Sequence, residues 1–271
     1  MYKYSPFSAN LLKTLIKGEL WFGKIEDLND PYEGEFQIRD TSKMPSNESI
    51  DEFYKNQSSF IIPRPKGQNH SPHIFHKTFS DFVKNTLRSQ FGLTCFSKKN
   101  NDVLMWSHYA DSHKGVCLIF DQHKLLKSLN SIYPDIKLGE VEYNEELPYV
   151  DLITSGDNSS FRYSDREKNV LLNKNIKWDY EEEYRLYRRF ENDQRRSVPF
   201  DLKSLTGIII GQRMDSEDFN TLVHLIRNST NLEHLNLYKM TFKSGVLEVG
   251  KNPIHLGIIK DLDINISTQS K

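Results

Sequence analysis

The stretch of the chain that most constrains its fold is Phe91–Asp121. Its hydrophobic pattern predicts an apolar strand at Leu93–Phe96 and a second one at Gly115–Phe120, joined by a polar turn and a short helix over residues 102–110. The helix carries aromatic and imidazole side chains between two segments apolar enough to be buried. Side chains that a helix presents between core strands are held rigidly, as a binding pocket requires. The stretch therefore predicts a pocket without naming its reaction.

The charge balance argues against a long-range attraction to polyanions and leaves a local charged patch possible. The 271 residues include 36 lysines and arginines against 37 aspartates and glutamates, so no global field draws the chain to nucleic acid or to an anionic membrane. The first residues are too polar for a signal peptide, and no apolar run has the length that spans a bilayer. We therefore expect a cytoplasmic protein without membrane contact, in which Cys95 and Cys117 are reduced and buried.

The order of predicted elements indicates an α+β fold. We expect one domain over residues 1–271, with a mixed or mostly antiparallel central sheet and flanking helices, because no internal repeat or flexible linker divides the chain. Prolines punctuate a polar segment at residues 41–90, which we interpret as an inserted helical lobe or lid. His70, His73 and His76 recur in it, but a proline interrupts their spacing and no carboxylate or cysteine is near, so no metal site is predicted.

The late segment KWDYEEEYRLYRRF carries a charged face. A strand from Glu181 onward would place Glu181, Glu183 and Arg185 on one side of the sheet. One interpretation is a solvated edge with a cross-strand ion pair. The other is a pocket wall in which a carboxylate faces a ligand and Trp178 provides a stacking surface. The sequence leaves both interpretations open.

Further pocket candidates lie on and after the short helix and on the turn LNDPYEG. They are Trp106, His108, Tyr109, His113, Asn29, Asp30 and Glu33. The aromatic residues among them also suit a hydrophobic core, and the histidines and turn carboxylates also suit a solvated surface. Pattern alone does not separate these roles.

Four motifs in a fixed order resemble an uncharacterised bacterial domain family. They are an aromatic start at residues 2–4, the turn LNDPYEG, the block LMWSHYADSHKGVCLIF and the segment WDYEEEYRL, and they cover residues 2–186. The family pattern maps onto Leu28, Asn29, Asp30, Pro31, Glu33, Trp106, Tyr109, Ala110, His113, Gly115, Trp178, Glu181, Glu183 and Arg185. This family has no settled activity, so the resemblance implies a shared domain and no reaction.

The start of the chain is also similar to ADP-ribosyltransferase-like families. In those families a histidine or arginine on the first strand holds NAD, and Lys3 or Tyr4 occupies that position here, which is a departure. Their middle strand maps onto Leu93–Ser97, and their late-strand glutamate maps onto Glu183 or Glu181. The resemblance implies an enzyme that binds NAD and transfers ADP-ribose to a macromolecule, in a bacterial defence or toxin system.

Under this resemblance each candidate residue has a role. A glutamate, Glu183 or Glu181, would orient the ribose and stabilise the positive charge that builds on it when nicotinamide leaves. Tyr109, a further catalytic candidate, or Trp106 would stack on the nicotinamide, and Arg185 would bind the pyrophosphate or hold its neighbouring glutamate. The remaining cofactor-binding candidates are Tyr4, Lys3, His108, His113 and Trp178.

Two other classes of function stay open. One is a non-catalytic interaction module of a defence system that uses the charged strand as an interface. The other is a metal-dependent nuclease in which Asp30, Glu33, Glu181 and Glu183 surround a divalent ion. NAD should raise the melting temperature of a transferase, whereas magnesium should act on a nuclease. We favour NAD over a metal, and the acceptor, protein or nucleic acid, stays open.

Overall fold

The structure, a computed structural model, describes most of the chain. The described ranges are 1–39, 72–151, 168–191, 195–244 and 246–254. The first part of the predicted lobe, with His70, lies outside them. Within these ranges, no helix combines the length and the apolar character needed to cross a membrane.

An eight-stranded sheet forms the centre of the fold. In spatial order its strands are β14 (Val246–Val249), β13 (Asn236–Lys243), β12 (Leu205–Ile210), β5 (Val116–Phe120), β1 (Tyr2–Ser5), β4 (Phe91–Ser97), β10 (Glu183–Arg189) and β6 (Lys137–Glu140). Neighbours pair antiparallel, except that β12 and β13 pair parallel. The sheet is mixed and mostly antiparallel, which confirms the predicted α+β class.

Shorter pairs and helices surround this sheet. The two-stranded pairs are β2 (Glu19–Trp21) with β11 (Ser197–Pro199), β3 (Gln37–Arg39) with β8 (Tyr149–Asp151), and β7 (Glu142–Asn144) with β9 (Asn173–Asn175). The helices are α1 (Ala9–Lys17), α2 (Pro72–Gln90), α3 (Val103–Tyr109), α4 (Gln122–Ile132) and α5 (Ser216–Arg227). Ser8 caps α1 by accepting a hydrogen bond from the backbone N–H of Leu11, and Gly18 ends that helix with a left-handed φ of 61°.

The larger hydrophobic core lies between one face of the sheet and helices α1, α4 and α5. Leucines of α1 and α4, such as Leu15 and Leu129, pack there with Ile226 of α5 and with Leu118 and Ile208 of the sheet. The apolar faces of these three helices therefore pack against the core.

The stretch Phe91–Asp121 folds as its pattern predicts, into β4, α3 and β5. Successive side chains of β5 point to opposite faces of the sheet, so Leu118 joins the larger core and Cys117 joins a second core. That second core contains Trp106 of α3. Both cysteines are free thiols, and Cys117 is buried while Cys95 is half-buried.

The structure corrects the predicted strand that was to start at Glu181. A 3-10 helix spans Ile176–Glu181, Glu182 takes a left-handed φ of 40°, and β10 starts at Glu183. Strand alternation therefore explains the shared face of Glu183 and Arg185 but not the position of Glu181, which ends the preceding helical turn. Further along, β13 and β14 pair antiparallel at one edge of the sheet.

The hydrogen-bond ladder between β1 and β4 is interrupted, which leaves an opening in the sheet. These two strands share one residue pair, Tyr2 with Ser97, whereas β1 pairs with β5 over four residues. Further along β4, Gly23 takes the place of β1 and exchanges two backbone hydrogen bonds with Leu93. Between them the ammonium group of Lys3 donates to the carbonyl oxygen of Cys95 at 3.1 Å, in place of a backbone partner. The interrupted ladder leaves room for a cavity.

Candidate functional site

A cavity of about 470 Å³ lies at this opening. Its volume falls within the range of about 300–1,000 Å³ that is usual for small-molecule sites. The predicted site residues in its wall are Lys3, Tyr4, Asn29, Tyr109, Glu181, Glu183 and Arg185. The structure thus brings together residues from the start of the chain, the turn, α3 and β10. The other predicted residues, Trp106, His108, His113, Trp178, Asp30 and Glu33, are not part of that wall.

Arg185 is the centre of a buried ionic cluster in the cavity wall. Its Nε and Nη2 donate to the two carboxylate oxygens of Glu183, both at 2.9 Å. Its Nη1 and Nη2 donate to the two oxygens of Glu33, at 2.9 and 2.5 Å, and Nη1 also donates to the carbonyl oxygen of Leu171 at 2.6 Å. These bonds use all five N–H groups of the guanidinium. Glu181, Glu183 and Arg185 are all buried, so the interpretation of this face as a solvated edge is wrong.

Lys174 on β9 is the second cation of the cluster, and the sequence analysis missed it. Its ammonium donates to Glu181 at 2.6 Å and lies 3.5 Å from Glu33 and 3.6 Å from Glu183. Burial lowers the pKa of Lys174, but the three carboxylates outweigh burial and raise it above its usual value. The signal that could have found it is charge balance, since three buried carboxylates need more than one arginine as counter-ion.

Glu181 connects the cluster to the cavity. One carboxylate oxygen accepts a short hydrogen bond from the hydroxyl of Tyr109, and the other accepts the Lys174 bond. Asn29 donates from Nδ2 to the Tyr109 oxygen at 2.6 Å. The Ser97 hydroxyl donates to the backbone carbonyl of Glu181 at 2.7 Å, which fixes the main chain at this point. Burial raises the pKa of the Glu181 carboxyl, with Glu183 adding to the effect and Lys174 opposing it.

The pKa values of Glu181 and Glu183 are therefore shifted in opposite directions. Burial alone would raise the pKa of Glu183, but Arg185 and Lys174 lower it to about 2. Adjacent carboxylates with separated pKa values are typical of sites where one stays ionised and the other exchanges a proton.

This tuning predicts how stability depends on pH. The unfolded reference pKa of both groups is 4.5, so as the pH falls from 4.5 towards 2 Glu183 takes up a proton only in the unfolded chain and the free energy of unfolding falls. As the pH rises from 4.5 through the raised pKa of Glu181, the folded chain gives up a proton that the unfolded chain has already lost, and stability falls again. Urea unfolding between pH 2 and 8 measures both slopes.

Variants separate the two slopes. Glu183→Gln should flatten the change below pH 4.5, and Glu181→Gln should flatten the change above it. Unaltered slopes in both variants would contradict the assignment.

Trp106 supports the wall from behind. It is fully buried, its Nε1 donates to the carbonyl oxygen of Asn100 at 2.8 Å, and its ring meets Tyr4 edge-on at a centroid distance of 5.3 Å. Tyr4 in turn donates its hydroxyl to the carbonyl oxygen of Lys99 at 3.0 Å. The ring of His113 stacks on Trp106 with a centroid distance of 6.3 Å. The tryptophan thus orients a cavity residue without contacting the cavity.

The other predicted residues outside the wall have structural contacts. Asp30 accepts a hydrogen bond from the backbone N–H of Tyr32 at 2.9 Å and so shapes the turn that carries Glu33. The ring of Trp178 lies 4.9 Å from the ammonium of Lys174. His108 is exposed on α3, 6.3 Å from the ring of Tyr180.

Several wall residues were not predicted, among them Tyr2, Trp21, Asp27 and Cys95. Tyr2 and Trp21 lie on short strands whose neighbours in the sheet cannot be read from local pattern. The side chain of Trp21 is more than half exposed at the cavity.

One segment of the chain matches a known protein family. Residues 105–186 match the family described as a protein of unknown function, DUF2971. This match confirms the expected resemblance to an uncharacterised family over α3 to β10. The DUF2971 match includes Tyr109, Lys174 and the two tuned glutamates, while Lys3 and Asn29 lie outside it. No curated protein and no solved structure matches the chain.

Proposed function

We propose that this chain is an ADP-ribosyltransferase-like enzyme that binds NAD in the cavity and transfers ADP-ribose to a macromolecular acceptor. The observation that carries the proposal is the carboxylate of Glu181 in the cavity wall, held by Tyr109 and Lys174 and tuned to a raised pKa. Bacterial defence is the setting that the sequence resemblance suggests.

The chemistry requires such a carboxylate. When the bond between the nicotinamide nitrogen and the ribose breaks, the electron pair leaves with nicotinamide and positive charge develops on the sugar. Glu181, once ionised, stabilises this charge in a poorly solvated site where a fixed carboxylate is most effective. The acceptor then forms a bond to the ribose carbon, and Glu181 takes the proton that the acceptor loses.

Glu181 suits this role better than Glu183. Both oxygens of Glu183 accept from Arg185, and its lowered pKa makes it a poor proton acceptor. Glu181 is held by single bonds from a phenol and an ammonium group and has lone pairs left on each oxygen. We therefore assign Glu183 and Arg185 to positioning, and Tyr109 to orienting the reactive carboxylate.

A metal-dependent nuclease is less well supported. Glu33, Glu181 and Glu183 already surround Lys174 and Arg185, so a divalent ion would have to displace two bound cations. In the part of the chain that the structure describes, no group of histidine, cysteine, aspartate and glutamate side chains has the arrangement of a metal site.

Replacement of Glu181 by glutamine tests the proposal. Glu181→Gln keeps the size of the side chain but removes the charge, and we expect release of nicotinamide from NAD to fall at least about 100-fold, as for loss of a main electrostatic group. Nicotinamide release with water as acceptor needs no knowledge of the natural acceptor and is measured by chromatography.

The matched control is Glu182→Gln on the neighbouring residue. Glu182 pairs with Lys99 on the surface, so its replacement should leave the rate unchanged. Equal rates for the Glu181 variant and the wild type, or no nicotinamide release by the wild type, would contradict the proposal.

A further inference from the structure

We infer that the cavity selects the positively charged nicotinamide-ribose half of its substrate and leaves the diphosphate outside the wall. This inference rests on the proposed function and adds which part of the substrate is recognised. It starts from the charges in and directly behind the wall. They are the carboxylates of Asp27, Glu33, Glu181 and Glu183 and the cations Lys3, Lys174 and Arg185.

The cations of this set are already engaged. Arg185 uses its five N–H groups on two glutamates and a carbonyl oxygen. Lys174 has three carboxylates within 3.6 Å. A diphosphate that approached either of them would bring like charge next to buried carboxylates, which costs binding energy.

Lys3 is a weak phosphate anchor for a different reason. Its ammonium donates to the Cys95 carbonyl oxygen and lies 5.4 Å from the ring centroid of Phe96. Burial lowers its pKa, which disfavours the charged form that a phosphate needs. Lys3 therefore completes the interrupted strand ladder.

The rest of the wall suits a cation. Tyr2, Tyr4 and Tyr109 line the same cavity as Glu181, and aromatic rings attract positive charge, most strongly where water is excluded. The oxidised nicotinamide ring carries one positive charge at the nitrogen that joins the ribose. The four carboxylates of this set outnumber its three cations. The positive charge of the ring is therefore the feature by which the cavity recognises its substrate.

Four ligands test this by calorimetric titration of the full chain. NAD and NADH carry the same diphosphate and differ in ring charge, nicotinamide riboside keeps the charged ring without a phosphate, and ADP-ribose keeps the diphosphate without the ring. We expect NAD and nicotinamide riboside to bind with Kd values within about 10-fold of each other. NADH and ADP-ribose should bind at least about 10-fold more weakly, as expected for one lost charge contact in a partly buried site.

Variants and outcomes separate this inference from the proposed function. Glu181→Gln should reduce the preference for NAD over NADH, and Glu182→Gln should preserve it. Binding of NADH and ADP-ribose as tightly as NAD, without binding of nicotinamide riboside, would overturn the inference and leave the proposed function standing. Binding of none of the four ligands would overturn both. Charge-selective binding without nicotinamide release would support the inference and overturn the enzymatic proposal.

Discussion

Replacement of Arg185 by methionine is expected to lower the free energy of unfolding by about 3–5 kcal/mol, the usual cost of removing one partner from a buried ion pair. Arg185→Met removes the guanidinium that Glu33 and Glu183 share in the interior and leaves Lys174 at 3.5 and 3.6 Å from them. The hydrogen bond to the carbonyl oxygen of Leu171 is lost as well. Urea unfolding at pH 7 measures the loss.

Arg188→Met is the matched control on the same strand. Arg188 pairs with Asp135, which is half exposed, and stacks on the rings of Tyr133 and Phe190. Because the Asp135 carboxylate is half exposed to water, this pair contributes less than the buried cluster, and we expect a loss of about 1 kcal/mol. Similar losses in the two variants would show that the buried cluster does not stabilise the fold in the way its geometry indicates.

Replacement of Trp106 by alanine should cost about 3–5 kcal/mol, as for other large buried side chains. Trp106 is fully buried in the second core and its ring contacts Tyr4 and His113. Its loss opens a void directly behind Tyr4, so ligand binding should weaken even where the variant remains folded. Thermal unfolding and calorimetric titration with NAD measure the two effects.

Two variants on α3 make this prediction specific. Trp106→Phe keeps an aromatic ring against Tyr4 but loses the bond to Asn100, so it should cost about 1 kcal/mol plus a smaller packing loss. Leu104→Ala, at an exposed position of the same helix, should change stability by no more than about 0.5 kcal/mol. A Trp106→Ala protein as stable as the Leu104 variant would contradict the prediction.

Local chemistry accounts for the part of the fold that the sequence predicts. Ser8 and Gly18 delimit α1 because a side-chain oxygen and a left-handed glycine satisfy the helix ends. The shared face of Glu183 and Arg185 follows from strand alternation. These features depend on residues a few positions apart in the chain, so the local sequence pattern is sufficient to predict them.

The cluster around Arg185 depends on distant contacts, which pattern does not contain. Glu33 reaches Arg185 across 152 positions, from a turn where a glutamate is ordinarily solvated. Lys174 lies in a polar run without periodicity, and Glu181 reaches the cavity from a helical turn that was predicted as strand. Strand order decides which of these residues meet, and a single sequence gives it only weakly.

The strand order also bears on the boundaries of the matched family segment. Residues 105–186 contain β5 and the start of β10, but β1 and β4 lie between those strands in the sheet. A fragment limited to this segment would have a gap two strands wide at its centre and would lack Lys3, Asn29 and Glu33. The matched segment alone therefore cannot form the cavity, because a chain that forms it must also contain β1, the turn that carries Asn29, and β4.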